Sequence, residues 1–216
     1  MDDEESVGEP IEASSPIPAR LLGAVATLAA LGGIALAIRL DPTFSWTADA
    51  LSDLGVRDRS APAFNGGLVL GGIAGLGYAA GLWTRERGSA ASAAGRLRAV
   101  VFALAMVAMA GVGAFDLTRA LHAPAAVGFY LLVTVVLGID GLARRDARTG
   151  RVALAFVPVH VAVWTTFLAG LWPVTGLALP ELPGALMLAA WVWLVGPLPV
   201  VRRLSVRSHG AGTDEH

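Results

Sequence analysis

The chain has 216 residues, of which 55% are hydrophobic and only 15% are charged, with a formal net charge of −1. A soluble domain carries roughly a quarter charged residues, so these charges are too few to cover a water-facing surface, and we expect a membrane protein. The length accommodates about six crossings of roughly 20 residues each. The lack of cysteine excludes disulfides and cysteine-based zinc sites. The scattered basic residues argue against a nucleic-acid partner.

The apolar segments, taken in order, predict an all-α fold, a polytopic membrane protein built as a bundle of six transmembrane helices. The predicted helices cover about residues 21–40, 64–83, 99–117, 123–142, 152–172 and 184–201, inside a transmembrane domain at 17–203. Residues 1–16 are acidic and lack an apolar period, which predicts a disordered cytoplasmic tail, and residues 204–216 are expected to form a second one.

The distribution of arginine predicts the orientation of the bundle. All 16 basic residues are arginine, and twelve of them flank the same ends of the predicted helices. Cytoplasmic loops carry an excess of basic residues, so we expect both termini in the cytoplasm and a multi-pass protein of the cell membrane. The polar loop at residues 46–67 would then face outside.

That outer loop concentrates polar side chains in a chain that is otherwise mostly Ala, Leu, Val and Gly. Ser52 and Asp53 would point towards water or towards the outer helix ends. If Asp53 has only a structural role, it caps a short helix or pairs with Arg57 or Arg59 and so fixes the position of the loop.

The other outer connections contribute Asp116, His122 and Glu181 at the same predicted level. Carboxylates and an imidazole at the mouth of a bundle can hold a metal ion that activates water, with Asp53, Asp116 and His122 as the candidate ligands. They can also act as a general acid/base pair, for which the catalytic candidates are Ser52, Asp53, Asp116, His122 and Glu181.

The structural alternative for the same mouth is an ion-pair network, with Arg57 or Arg119 against Asp116 and Glu181, which only fixes the loops. No cofactor is expected beyond a metal ion at this mouth.

Ionisable groups also lie inside the predicted helices. His160 follows Pro158 in the fifth helix, and Asp140 lies near the inner end of the fourth. Such groups are functional candidates, although a neutral His160 bonded to a carbonyl freed by Pro158 is the simpler account. The second helix has a stripe of three glycines at four-residue spacing, which permits close helix contact or a homo-oligomer. The stripe consists of Gly67, Gly71 and Gly75.

The segment ALSDLG at 50–55, followed by AFNGGLVLGG at 63–72, resembles the opening motif of the domain-of-unknown-function family 998. The resemblance spans about residues 20–200. It implies a small prokaryotic membrane protein of six helices with no established activity. Its motif residues in this sequence are Ser52, Asp53, Gly55, Phe64, Asn65, His122 and Glu181. Asp116 departs from the pattern, where proline is expected.

Three functions follow as hypotheses. The first is a non-enzymatic membrane protein that binds membrane lipids or a small partner at the polar outer mouth. The second is a membrane-embedded metal-dependent lipid hydrolase. The third is a small transporter, although the sequence lacks broken helices in corresponding halves.

Overall fold

The computed structural model describes residues 18–86 and 93–201. Within these residues the chain forms helices and no strand. The main helices are α1 (Ala19–Leu40), α2 (Ala61–Arg85), α3 (Ala93–Ala114), α4 (His122–Ala143), α5 (Arg148–Leu168) and α6 (Ala178–Ala190). A 3-10 helix, Leu51–Gly55, lies between α1 and α2, and a π-helical segment, Trp191–Val195, continues α6. The tails predicted to be disordered, 1–16 and 204–216, lie outside the described residues.

In the described part of the chain, six helices are long and apolar enough to cross a membrane, with α6 and the π-helical segment counted as the one span Ala178–Val195. A helix pairs its backbone N–H and C=O groups with each other, and this is required in a bilayer because hydrocarbon offers no hydrogen-bond partners. The predicted all-α, six-helix membrane fold is therefore confirmed.

The bundle has two chemically different ends. The Ser52 end contains the 3-10 helix and the N-termini of α2, α4 and α6. The arginine end contains Arg20, Arg85, Arg98 and Arg144. Both ends of the described chain lie at the arginine end, because a Cβ placed on Gly81 would meet Ala19 and would lie 3.5 Å from Leu198. Which end faces the cytoplasm stays a prediction.

Glycines bring α1 and α2 into backbone contact. A Cβ on Gly33 would lie 2.8 Å from the Cα of Gly67, and a Cβ on Gly67 would lie 2.7 Å from the carbonyl oxygen of Ala29. Gly71 packs against the α1 backbone, and Gly75 packs against Met106 of α3. The predicted glycine stripe therefore packs against α1 and α3 of the same chain, and its use in a homo-oligomer stays a prediction.

Helix α6 begins earlier than the sequence predicts. Glu181 was expected in a loop but lies in the first turn of α6. Pro180 also lies in this turn, where a backbone N–H would have no acceptor within the helix, so proline costs no hydrogen bond there. Pro183 follows inside the helix. This start carries Glu181 into the bundle, where only 7% of its surface is exposed.

Candidate functional site

The loop at residues 41–60 is fastened at the Ser52 end by ion pairs. Arg57 donates to Asp41 at 2.6 Å and reaches Asp49 at 3.1 Å. The predicted pairing of Asp53 with Arg57 or Arg59 is therefore not the one formed. Asp41 lies directly after α1, so this contact ties the loop to the helix that precedes it.

The turn that carries Ser52 is shaped by Asp53 and Asn65. Oδ2 of Asp53 accepts the N–H of Ala50 at 2.7 Å, which is the capping role that the sequence allowed. Nδ2 of Asn65 donates to the carbonyl of Gly55 at 2.9 Å. A Cβ on Gly55 would lie 2.6 Å from Oδ1 of Asn65 and 3.1 Å from Phe64, so only glycine allows this close approach.

The shaped turn then docks on α6. The N–H of Leu51 donates to Oε2 of Glu181 at 2.7 Å in a buried contact. Backbone hydrogen bonds of 3.0 Å add to it, from the N–H groups of Thr175, Gly176 and Ala178 to the carbonyls of Thr47 and Asp49. Glu181 is therefore the side chain that anchors this turn to α6.

A cavity of about 80 Å³ lies below the docked turn, inside the bundle. Its wall is mostly apolar and includes Phe64, Leu68, Phe102, Met106, Phe129 and Leu188. Ser52, Tyr130 and Glu181 also line it. Within the described residues, the hydroxyls of Ser52 and Tyr130 and Oε1 of Glu181 make no hydrogen bond. Three polar groups without a protein partner thus line one apolar cavity.

Asp116 and His122 have partners in their own connection between α3 and α4. Asp116 accepts from the N–H and the hydroxyl of Thr118, rather than from Arg119. The Thr118 hydroxyl and then its N–H lower the pKa of Asp116. Nδ1 of His122 donates to the carbonyl of Phe115 at 2.6 Å. Neither residue lines the cavity.

The predicted metal ligands do not form a ligand set. Among residues 18–86 and 93–201, no group of three or more His, Asp or Glu side chains could hold a metal ion. Each of the three residues has a partner of its own. Asp53 accepts from the N–H of Ala50, and Asp116 accepts from Thr118. His122 donates to the carbonyl of Phe115. These residues therefore do not fit the metal centre that the hydrolase hypothesis needs.

His160 is satisfied by neighbouring side chains. The hydroxyl of Thr134 donates to the carbonyl of Tyr130 at 3.0 Å, so it accepts from Nδ1 of His160 at 2.9 Å. Nε2 of His160 accepts from the indole of Trp164 at 3.1 Å. These bonds fit a neutral imidazole. The partner predicted for it, a carbonyl freed by Pro158, is not the one it uses.

Asp140 is the centre of an ion-pair network at the arginine end. Its carboxylate is fully buried and accepts from Arg98 at 2.9 Å, from Nε of Arg144 at 2.8 Å and from the Trp191 indole at 2.7 Å. Arg98 also donates to Glu86 at 2.8 Å. The network joins α2, α3, α4 and the π-helical segment, so its role is to hold helices together.

Tyr130 was missed by sequence reasoning, because one tyrosine in an apolar helix carries no signal about the direction in which its hydroxyl points. Arg98 was counted as a loop charge, although it lies buried within α3. Asp53, Asp116 and Glu181 were found because the outer connections of an otherwise apolar chain display them, and Asp140 because acidic residues are rare in apolar helices.

Six membrane-spanning helices and a capped turn docked on α6 define a multi-pass integral membrane protein. The family described as "Protein of unknown function (DUF998)" matches residues 24–197, and the chain belongs to this family. The resemblance carried by the loop motif is thereby confirmed. No curated protein and no solved structure matches the chain.

The ion pair of Asp41 gives a testable pH dependence. Hydrogen bonds from Arg57 and then Thr43 lower the pKa of Asp41 from 3.8 to about 2. Because the folded pKa lies below the unfolded value, the pair stabilises the protein above pH 3.8, and this contribution is lost as the pH falls towards about 2. The difference in Tm between the wild type and Asp41→Asn should therefore shrink over this range.

The matched control is Asp58→Asn, which changes an exposed carboxylate of the same loop. Its Tm should follow that of the wild type at every pH. A difference between wild type and Asp41→Asn that stays constant from neutral pH down to pH 2 would contradict the assigned ion pair.

Proposed function

We propose that this protein binds a single-chain acyl lipid in the cavity at the Ser52 end, in the cell membrane, with both termini in the cytoplasm and the Ser52 end outside. The observation that carries the proposal is the set of unpartnered polar groups of Ser52, Tyr130 and Glu181 on the wall of one apolar cavity. Ligand sites are mostly apolar, with a few polar groups that orient the ligand.

The cavity has room for more than one water, since a buried water needs about 10–15 Å³ and this cavity offers about 80 Å³. Because ligand pockets usually have roughly 300–1,000 Å³, the cavity would hold only the part of the ligand next to its head, and the rest of the acyl chain would extend between the helices into the bilayer. The head of the ligand would meet two hydroxyls and a carboxyl oxygen. A head group with its own hydroxyl donors, as in a monoacylglycerol, matches these acceptors.

The proposed route from the bilayer lies between α1 and α6. Thr27 and Leu31 of α1 and Ala185 of α6 line the cavity and are half-buried. Helix α1 packs against the π-helical segment more than against the body of α6. There the indole of Trp193 donates to Thr27 at 2.6 Å and closes the gap from below. An acyl chain can therefore enter from the side.

Neither alternative function has a comparable observation. A metal-dependent lipid hydrolase needs Asp53, Asp116 and His122 around one ion, and the hydrogen bonds described above direct them elsewhere. A transporter needs a polar path to His160 and Asp140. Both of these side chains are buried and bonded to neighbouring side chains.

Photocrosslinking in nanodiscs tests the proposal, with a monoacylglycerol that carries a photoreactive group on its acyl chain. Crosslinks are expected on cavity-lining peptides of α1, α3 and α6. Ala185→Phe should reduce them to background, because the ring occupies the cavity. Glu181→Gln keeps an oxygen acceptor for Leu51 but places an amide N–H₂ donor where Oε1 lined the cavity, so the affinity should fall about tenfold or more.

The matched control is Ala35→Phe, which adds the same ring to the exposed face of α1. It should be labelled like the wild type. Equal labelling of Ala185→Phe and the wild type, or crosslinks confined to the lipid-facing surface, would refute binding in the cavity.

A further inference from the structure

A second cavity lies at the opposite end of the bundle and has a different character. It has a volume of about 390 Å³, within the range of roughly 300–1,000 Å³ that is usual for ligand pockets. Arg20, Arg85, Arg144 and Thr149 line it together with the chain after α6. These residues come from four helix ends, so the pocket lies where the bundle meets the membrane surface.

The pocket carries positive charge that the described part of the chain does not neutralise. Arg20 and Arg85 form no ion pair or hydrogen bond with any residue in 18–86 or 93–201. The Nε of Arg20 is buried without a hydrogen-bond partner. A buried donor without a partner is costly, and a bound anion would supply one.

Arg144 does not reduce this excess. Its charge and that of Arg98 are balanced by Asp140 and Glu86 in the neighbouring network. Among residues 18–86 and 93–201, Arg20 and Arg85 therefore remain as two positive charges in the pocket without an ion-pair partner.

The donors match a phosphate group. Guanidinium groups bind phosphate oxygens through paired N–H donors. Nη1 of Arg144 donates to the Thr149 hydroxyl at 2.9 Å, which leaves the hydroxyl hydrogen available to an anion. Thr149 lies in the first turn of α5, and no side chain caps that helix, so the positive end of its dipole also favours an anion.

From this arrangement we propose that the pocket of Arg20, Arg85, Arg144 and Thr149 binds a phosphate group, supplied by the head of an anionic phospholipid. Basic pockets between membrane helices at a bilayer surface hold anionic head groups. The proposal is independent of the acyl-lipid site at the Ser52 end, because the two cavities share no lining residue.

The test measures the Tm of the full-length protein in neutral detergent during titration with phosphatidylglycerol or, separately, with inorganic phosphate. Phosphatidylglycerol should raise the Tm of the wild type. For Arg20→Gln/Arg85→Gln, the apparent affinity should fall about tenfold or more, since charge-assisted contacts are lost. Arg20→Lys/Arg85→Lys keeps the charge and should recover part of the affinity. Arg85→Gln alone, at an exposed position, serves if the double variant does not fold.

The control is Arg39→Gln/Arg119→Gln, which removes the same charge from exposed positions at the Ser52 end and should titrate like the wild type. A response to phosphatidylglycerol alone supports a lipid head group. A response to inorganic phosphate of similar affinity supports the phosphate site but assigns it to a free anion. The proposal is overturned if neither ligand shifts the Tm, or if the control loses as much affinity as Arg20→Gln/Arg85→Gln.

Discussion

Asp140→Ala is expected to lower the free energy of unfolding by about 3–5 kcal/mol, as is usual when one partner of a buried ion pair is removed. Asp140 is fully buried and accepts from Arg98, Arg144 and Trp191. Its removal leaves Arg98, which is only 3% exposed, with Glu86 as its one remaining carboxylate. The measurement is SDS-induced unfolding in mixed micelles, followed by tryptophan fluorescence.

Two further variants separate the buried charge from a general effect of losing a carboxylate. Asp146→Ala removes an exposed carboxylate in the connection that follows α4, and its effect should lie within about 0.5 kcal/mol of zero. Arg98→Met/Asp140→Leu replaces the pair by apolar side chains and should recover part of the lost stability. If Asp140→Ala were no more destabilising than Asp146→Ala, the network would not hold the helices together.

The spans could be predicted because crossing a bilayer depends on the length of an apolar run, which the sequence displays directly. Side-chain partners depend on how each helix is oriented about its axis relative to its neighbours, and a single sequence does not reveal that orientation. Arg98 illustrates this difference. The sequence counts it as one more positive charge beside a loop, whereas in the fold it turns inward to Asp140.

The predicted start of α6 was wrong for a local reason. Pro180 and Pro183 read as loop residues. Pro180, however, lies in the first turn of the helix, where the N–H that proline lacks would have no partner, and Pro183 lies inside the helix. Glu181 was therefore found as a candidate but placed outside the bundle. Its contact with Leu51 joins residues 130 positions apart, and no periodicity in the sequence indicates it.

The residues of the loop motif have two different roles. Asp53 caps the 3-10 helix and Asn65 fastens Gly55, so these two shape the turn. Ser52 and Glu181 line the cavity beneath it. A precisely shaped turn whose remaining polar groups face a cavity is consistent with the proposed lipid site, because the turn fixes where those groups point.

Gly67→Ala and Gly33→Ala should each destabilise the protein by about 1–3 kcal/mol, the usual cost of overpacking. At either position a Cβ would lie less than 3 Å from backbone atoms of the partner helix: 2.8 Å from the Cα of Gly67 for Gly33, and 2.7 Å from the Ala29 carbonyl oxygen for Gly67. Backbone cannot turn aside as a flexible side chain can, so α1 and α2 must separate. The same SDS unfolding assay measures the loss.

The chain supplies a matched control beside each position. Gly66 and Gly32 are the chain neighbours of Gly67 and Gly33, and a Cβ on either would meet no atom within 4 Å. Alanine has the higher helix propensity by up to about 1 kcal/mol, so Gly66→Ala and Gly32→Ala should be neutral or stabilising. A loss of stability shared by all four variants would contradict this explanation, because Gly32 and Gly66 have no atom for the added Cβ to meet. A loss confined to Gly33→Ala and Gly67→Ala identifies the close backbone contact as the interaction that holds α1 against α2.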